Sequence, residues 1–269
     1  MHSFSLEAYR NLLSAFAGAG YSYCQFEEIN PRLEKREPFV VLRHDIDISL
    51  RAALEIAHVE YELGVQATYF VTFHSPFYNL LSQSNADTLV KINQWGHQIA
   101  LHLDCMAYKE QCASALAEID ILAKFYPYIN TQLASVHSPN NLELVPIESF
   151  RQLRNVYGPI FSKDMTYISD STGRWRYGHP LDSEAFSSRR PIQLLTHPIW
   201  WLQDGEMPRE KLERWLYKDY LNTLATANEF LPKLFRDSIS QNRTISDINN
   251  GRQDYPGLRV SGGDRYVQR

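Results

Sequence analysis

In the stretch VVLRHDIDIS, residues 40–49, an apolar run ends in His44, Asp45 and Asp47. Titratable side chains recur at comparable places further on. His102 closes HQIALH with Asp104 just behind it, His137 closes TQLASVH, Asp170 and Ser171 close TYISDS, and His197 closes PIQLLTH. Carboxylates gathered with imidazoles can hold a divalent cation and pass protons near neutral pH. A period of two puts Asp45 and Asp47 on one side of an extended strand and His44 on the other. Two neighbouring carboxylates repel unless a cation or a shared proton intervenes, so one as ligand and one as general base relieves the conflict. The plainer reading has Asp47 capping a helix that starts near Ser49 or Leu50, and His44 as a packed core histidine. Convergence of five such segment ends favours the site. His58 falls within a helical pattern and His97 at the start of a strand, while His74 and His179 fall in loops. These four are read first as structural.

The elements that must position these groups alternate in type. Apolar, β-rich runs cover 38–43, 66–73, 97–102, 131–137, 166–171 and 191–197. Between them lie helical patterns: Leu50, Leu54, Ala57 and Tyr61 ending at Gly64, then ADTLVKINQW ending at Gly96, then KEQCASALAEIDILAKF, and another near 146–155. This order predicts βα units and a parallel sheet covered on both faces, satisfied by a barrel or a doubly wound sheet. In such folds the carboxyl ends of the strands share one rim, where sites are built. No GxGxxG or Walker loop follows a strand, which argues against a nucleotide enzyme. Residues 208–239 read as helical, and the polar tail from Ser240 reads as a poorly ordered extension. The expected organisation is one domain over 1–239 and an extension over 240–269. The NRT at 242–244 is a chance sequon match.

With 269 residues the chain can bury a substantial core. A net charge of -4 leaves no global footprint for nucleic acid or an anionic membrane. Cys24, Cys105 and Cys112 are odd in number and have no CxxC spacing, which disfavours a disulfide framework or a structural zinc site. The weakly apolar first twenty residues carry Glu7 and Arg10, so they read as an amphipathic helix rather than a signal peptide. No stretch is long and apolar enough for a membrane span, and a cytoplasmic protein is expected.

At this point the motifs resemble those of the polysaccharide deacetylase superfamily, the NodB-like family 4 carbohydrate esterases. RHDID at 43–47 with ATYFV at 67–71 resembles the first motif and the strand after it. GHQIALH at 96–102 resembles the second, SVHSPN at 135–140 stands at the third, SDSTGRWR at 169–176 resembles the fourth, and QLLTH at 193–197 the last. The resemblance covers most of residues 38–202. It implies an irregular (β/α) barrel of about seven parallel strands and a divalent metal, zinc first, held by one Asp and two His. It also implies hydrolytic removal of acetyl groups from N-acetylated sugars. On this resemblance Asp45 is the general base, Asp47 and His102 are metal ligands, His197 is the general acid, and Asp170 or Arg174 orients a catalytic partner.

The chain also departs from the family pattern. Ile46 separates two aspartates that are usually consecutive, and Met106 stands where a further histidine is usual. Methionine cannot replace imidazole on a hard divalent ion. His137 stands where the family keeps an arginine and is expected to supply the third ligand, with Asp104 in reserve. Trp175 and Trp200 are expected to line a sugar site, with His44 a further substrate contact. The expected activity is metal-assisted deacetylation of a carbohydrate, such as a surface-polysaccharide precursor. The rival expectations are a non-catalytic glycan-binding relative and a metal hydrolase of a non-sugar amide.

Overall fold

The computed structural model describes residues 4–104, 112–137, 154–158 and 163–232, with the side chains of 112–116 outside the description. Of the helix expected near 146–155, residues 154 and 155 form a short strand instead, because they pair with the neighbouring strand; the rest of it, Cys105, Met106, the sequon and the tail from Ser240 lie outside the described residues. The chain divides into one compact unit over residues 1–215 and a second over 216–269. Within the second, the described residues continue the helix Pro208–Phe230.

Among the described residues, eight strands form one parallel sheet: β1 (Ser22–Cys24), β2 (Phe39–Ile46), β3 (Thr68–Val71), β4 (Gln98–Leu103), β5 (Asn130–Val136), β6 (Arg154–Asn155), β7 (Thr166–Ser169) and β8 (Ile192–Thr196). Seven follow the order β6-β5-β4-β3-β2-β8-β7, a curled half-barrel, and β1 adds to the first half of β2. Every pairing is parallel. The expected fold class is therefore observed. Two short strands, β1 and β6, escaped the apolar-run criterion because three and two residues are too few to show a pattern.

Helices cross between the strands. α1 (Leu6–Gly18) starts at Ser5, whose Oγ accepts from Ala8 N at 3.1 Å, and buries Tyr9, Leu12, Leu13 and Phe16 at helical spacing. α2 is Ile29–Lys35, α3 is Leu50–Glu62, α4 is Gln83–Gln94 and α5 is Cys112–Phe125. Ser49 caps α3 by accepting from Ala52 N at 3.1 Å, so the plain reading of Asp47 as the cap is not realised. Gly64 and Gly96 sit at φ +68° and +86°, the left-handed conformation that turns the chain from α3 and α4 into the following strands.

Strand alternation sorts the core into two clusters. Val40, Leu42, Ile46, Tyr69, Val71, Ile99, Leu101, Ala134, Ile192 and Leu194 pack with α1, α3 and α4 on the outer face. Phe39, Val41, Phe70, Ala100 and Leu133 pack with Cys24, Phe26 and Ile29 on the other, inner face. Continuing the period of two, Arg43 and Asp45 share the inner face with Val41, and His44 shares the outer face with Leu42.

The outer core holds a buried polar knot. Glu60 of α3 is fully buried; Tyr69 donates to its Oε2 at 2.6 Å, Tyr9 donates to Oε1, and His44 Nε2 stands 2.7 Å from Oε1. His97 Nδ1 lies 3.5 Å from Oε2. Burial opposes the Glu60 charge, but His44, His97 and Tyr69 together hold the carboxyl below its usual range. His44 Nδ1 meets Thr196 Oγ1 at 2.8 Å, so the knot links α1, α3, β2, β3 and β8.

Candidate metal and acid–base site

Because the strands run parallel, their carboxyl ends share one rim, and the inner-face residues converge there. Asp47 follows the end of β2, His102 lies in β4, and His137 follows β5. Asp47 Oδ1, His102 Nε2 and His137 Nδ1 form a triangle with edges of 3.2, 3.4 and 3.2 Å. Among the described residues, Asp47 Oδ1 is buried and makes no aligned hydrogen bond, its near neighbours being the two ring nitrogens themselves. An orphaned carboxylate oxygen facing two ring nitrogens is costly unless a cation sits among them. Ligand atoms about 2.0–2.1 Å from one tetrahedral ion stand about 3.3–3.4 Å apart, close to these edges. The donor set thus fits a small divalent cation, and among the described residues it is the one His/Cys/Asp/Glu group close enough to hold one. Asp104 does not enter the group.

The electrostatics agree. Burial raises the Asp47 carboxyl, and the imidazoles of His102, His137 and His197 outweigh it, holding the group far below the usual carboxylate range. The Asp47 side chain raises His137, whose own side chain is 43 % exposed. His102 is buried, and its Nδ1 meets Ser135 Oγ.

His197 approaches from β8, with Nε2 3.9 Å from Asp47 Oδ2. Its Nδ1 meets Asp170 Oδ1 at 2.6 Å, and its backbone N–H donates to both Asp170 oxygens at 3.0 and 3.1 Å. Trp201 Nε1 donates to Asp170 Oδ2 at 2.9 Å, so the fully buried carboxylate is held from three directions. Burial disfavours the imidazolium, but Asp170, Asp47 and Asp45 outweigh it and raise His197 to about 9. Of the two residues the sequence offered as orienting groups, Asp170 is the one in contact with His197. Among the described residues, the exposed Arg174 makes no side-chain bond to His197 or Asp170.

Asp45 is 3 % exposed on the inner face. Arg43 Nη2 donates to its Oδ2 at 2.7 Å and Ser135 Oγ to its Oδ1 at 3.4 Å. Burial raises the Asp45 carboxyl, and Arg43, His102 and His197 bring it below the usual value. Arg43 is itself fully buried, bonded to Gln193 Oε1 at 3.2 Å and Tyr157 OH at 2.8 Å, with its guanidinium carbon 4.7 Å from the Tyr157 ring centre.

A small cleft opens beside this group, lined by Asp45, Asp47, Ile48, His197, Ile199 and Trp200 among others. Trp200 therefore stands where a substrate contact was expected, and its indole N–H is buried without a partner among the described residues. Two expected contacts lie elsewhere. Trp175 packs in the outer core, stacked on Phe4 at 5.6 Å and 6.0 Å from Trp201. His44 is fully buried in the Glu60 knot on the opposite face of β2, because the pleat turns it away from Asp45.

Arg43, Ser135, Gln193 and Trp201 were not assigned site roles from the sequence. Their signal was parity: Arg43, Asp45 and Asp47 alternate along one face, as do Ser135 with His137 and Gln193 with His197. Trp201 had no comparable signal, since its contact with Asp170 depends on the turn after β8.

No family model and no curated protein matches the chain. Solved structures do. A family 4 carbohydrate esterase from Bacillus anthracis is 17 % identical with a TM-score of 0.37, the match covering 72 % of this chain and 85 % of the other. The chitin deacetylase of the fungal pathogen Colletotrichum lindemuthianum is 14 % identical with a TM-score of 0.39, covering 68 % and 83 %. The catalytic domain of a peptidoglycan N-acetylglucosamine deacetylase from Eubacterium rectale is 15 % identical with a TM-score of 0.38, covering 69 % and 85 %. These likenesses are distant, and the parallel architecture rests on the strand pairings themselves.

Proposed function

We propose that the protein is a metal-dependent hydrolase that removes an N-acyl group, acetyl first, from a carbohydrate. The observation that carries this reading is the orphaned, buried Oδ1 of Asp47 within a triangle completed by His102 and His137, with a second histidine–carboxylate pair, His197 and Asp170, across from it. One carboxylate and two imidazoles suit zinc better than magnesium or calcium, which favour oxygen ligands. A cation held there supplies Lewis acidity to the acyl carbonyl and to an attacking water.

The residues of the chain carry the remaining work. Asp45, kept ionised by Arg43, accepts the proton of the water as it adds to the carbonyl carbon. His197, kept protonated at neutral pH by Asp170, donates from Nε2 to the departing amine nitrogen as the C–N bond breaks. Trp200 lines the cleft, and an aromatic face there suits the apolar C–H surface of a sugar.

The test is zinc content and acetate release from N-acetylated oligosaccharides, measured on wild type and on Asp45→Asn. Stoichiometric zinc and a loss of about 10²–10⁴-fold in acetate release by Asp45→Asn are expected. Absence of zinc, or release that ignores the substitution, overturns the reading.

A further inference from the structure

Ser135 lies in β5 with its side chain on the inner face, fully buried and paired in register with His102 of β4. Its hydroxyl stands between two partners. His102 Nδ1 contacts Oγ on one side, and Asp45 Oδ1 lies 3.4 Å away on the other. His102 Nδ1 is 3.8 Å from Asp45 Oδ2, too far for a direct hydrogen bond.

The direction of these contacts follows from the hydrogens each group carries. A serine hydroxyl carries one hydrogen and accepts through its lone pairs. The hydroxyl donates to Asp45 Oδ1, while the other oxygen of that carboxylate accepts from Arg43 Nη2. Oγ then has only lone pairs to offer His102, and Nδ1 must carry the hydrogen in that contact. A neutral imidazole with its hydrogen on Nδ1 has its lone pair on Nε2, and Nε2 is the atom that faces Asp47 Oδ1 at 3.2 Å and His137 Nδ1 at 3.2 Å.

We propose that Ser135 is a positioning residue that fixes the tautomer and ring orientation of His102, joining the metal triangle to the Arg43–Asp45 pair through one hydroxyl. This rests on the metal-site reading given above and goes beyond it by naming the residue that prepares a ligand from behind. Asp45 thereby serves both sides of the site: Oδ2 is held by Arg43, and Oδ1 orders the hydroxyl that orders His102. Partners behind a ligating histidine are worth about 10–100-fold in metal affinity when removed.

The experiment compares zinc affinity of wild type, Ser135→Ala and Ser135→Thr by competition with a chromogenic chelator. Nitrogen-15 histidine spectra of the zinc-loaded proteins are recorded alongside, with thermal unfolding as the check on folding. The expected result is a 10–100-fold weaker zinc affinity for Ser135→Ala, affinity near wild type for Ser135→Thr, and a His102 spectrum with hydrogen on Nδ1 and zinc on Nε2. If Ser135 only fills space, the order reverses, because threonine overpacks a closed site while alanine leaves one small gap. Equal affinity in wild type and Ser135→Ala, or zinc on Nδ1 of His102, overturns this inference and leaves the proposed function standing. A wild-type protein that binds no zinc overturns both.

Discussion

His197 sits between two carboxylates, and the sign of its pH dependence follows from which one dominates. With the imidazole raised to about 9 in the folded, metal-free chain and near 6.5 when unfolded, its pairing stabilises the fold fully below about pH 6.5. That contribution is lost as the pH rises through about 9. Urea unfolding of zinc-free protein at pH 6 and pH 9.5 should show wild type losing up to about 3 kcal/mol that His197→Gln does not lose. A pH-independent difference between the two proteins would show that Asp170 does not hold a charged partner. Asp47 makes a second residue-scale prediction. Replacing it with Asn removes the buried anion that two imidazoles face, so zinc affinity should fall by at least 10²-fold in an equilibrium titration. An Asn variant that binds zinc as wild type does would show that the ion, if present, sits elsewhere.

At the scale of elements, the period-two alternation of β2 sorts two functions onto one strand. Arg43 and Asp45 face the site, while His44 faces α3 and closes the knot around Glu60. Breaking a buried pair by removing one partner costs about 3–5 kcal/mol, so Glu60→Gln should lower the urea-unfolding free energy by about 3 kcal/mol or more. Because the knot lies on the other face of the sheet, zinc affinity of the folded fraction should be unchanged. A loss of zinc affinity with no loss of stability would reverse that assignment. This division also explains what could be read in advance. The parallel order of strands and helices was legible because six strands carry long apolar runs and Gly64 and Gly96 mark helix ends. Asp45, Asp47, His102, His137, His197 and Asp170 were legible because each closes such a run. The placement of His44 was open, since a buried histidine and a substrate contact are the same letter; only its partner, Glu60, sixteen residues along in α3, separates them. Trp175 and Trp200 could not be told apart for the same reason, as packing on Phe4 or lining a cleft is decided by the turns around them.

For the compact unit as a whole, zinc should behave as a ligand of the native state alone. At a free concentration of a hundred times its Kd, it should add about 2.7 kcal/mol of stability, and a chelator should remove that amount reversibly. The three ligand atoms come from three separate segments of the sheet, and even the nearest pair, His102 and His137, is 35 residues apart along the chain. No short segment therefore holds two ligands that could capture the ion before β2, β3, β4 and β5 have paired. The order of events in folding follows from this. On the proposed reading, zinc would bind a sheet already assembled, after the rate-limiting crossing, and would stabilise a state the crossing has not yet reached. In stopped-flow experiments the refolding rate should be the same with and without zinc, while the unfolding rate falls by the whole of the added stability. An ion held there would then act as a latch on the finished molecule, setting how long it lasts rather than how quickly it forms.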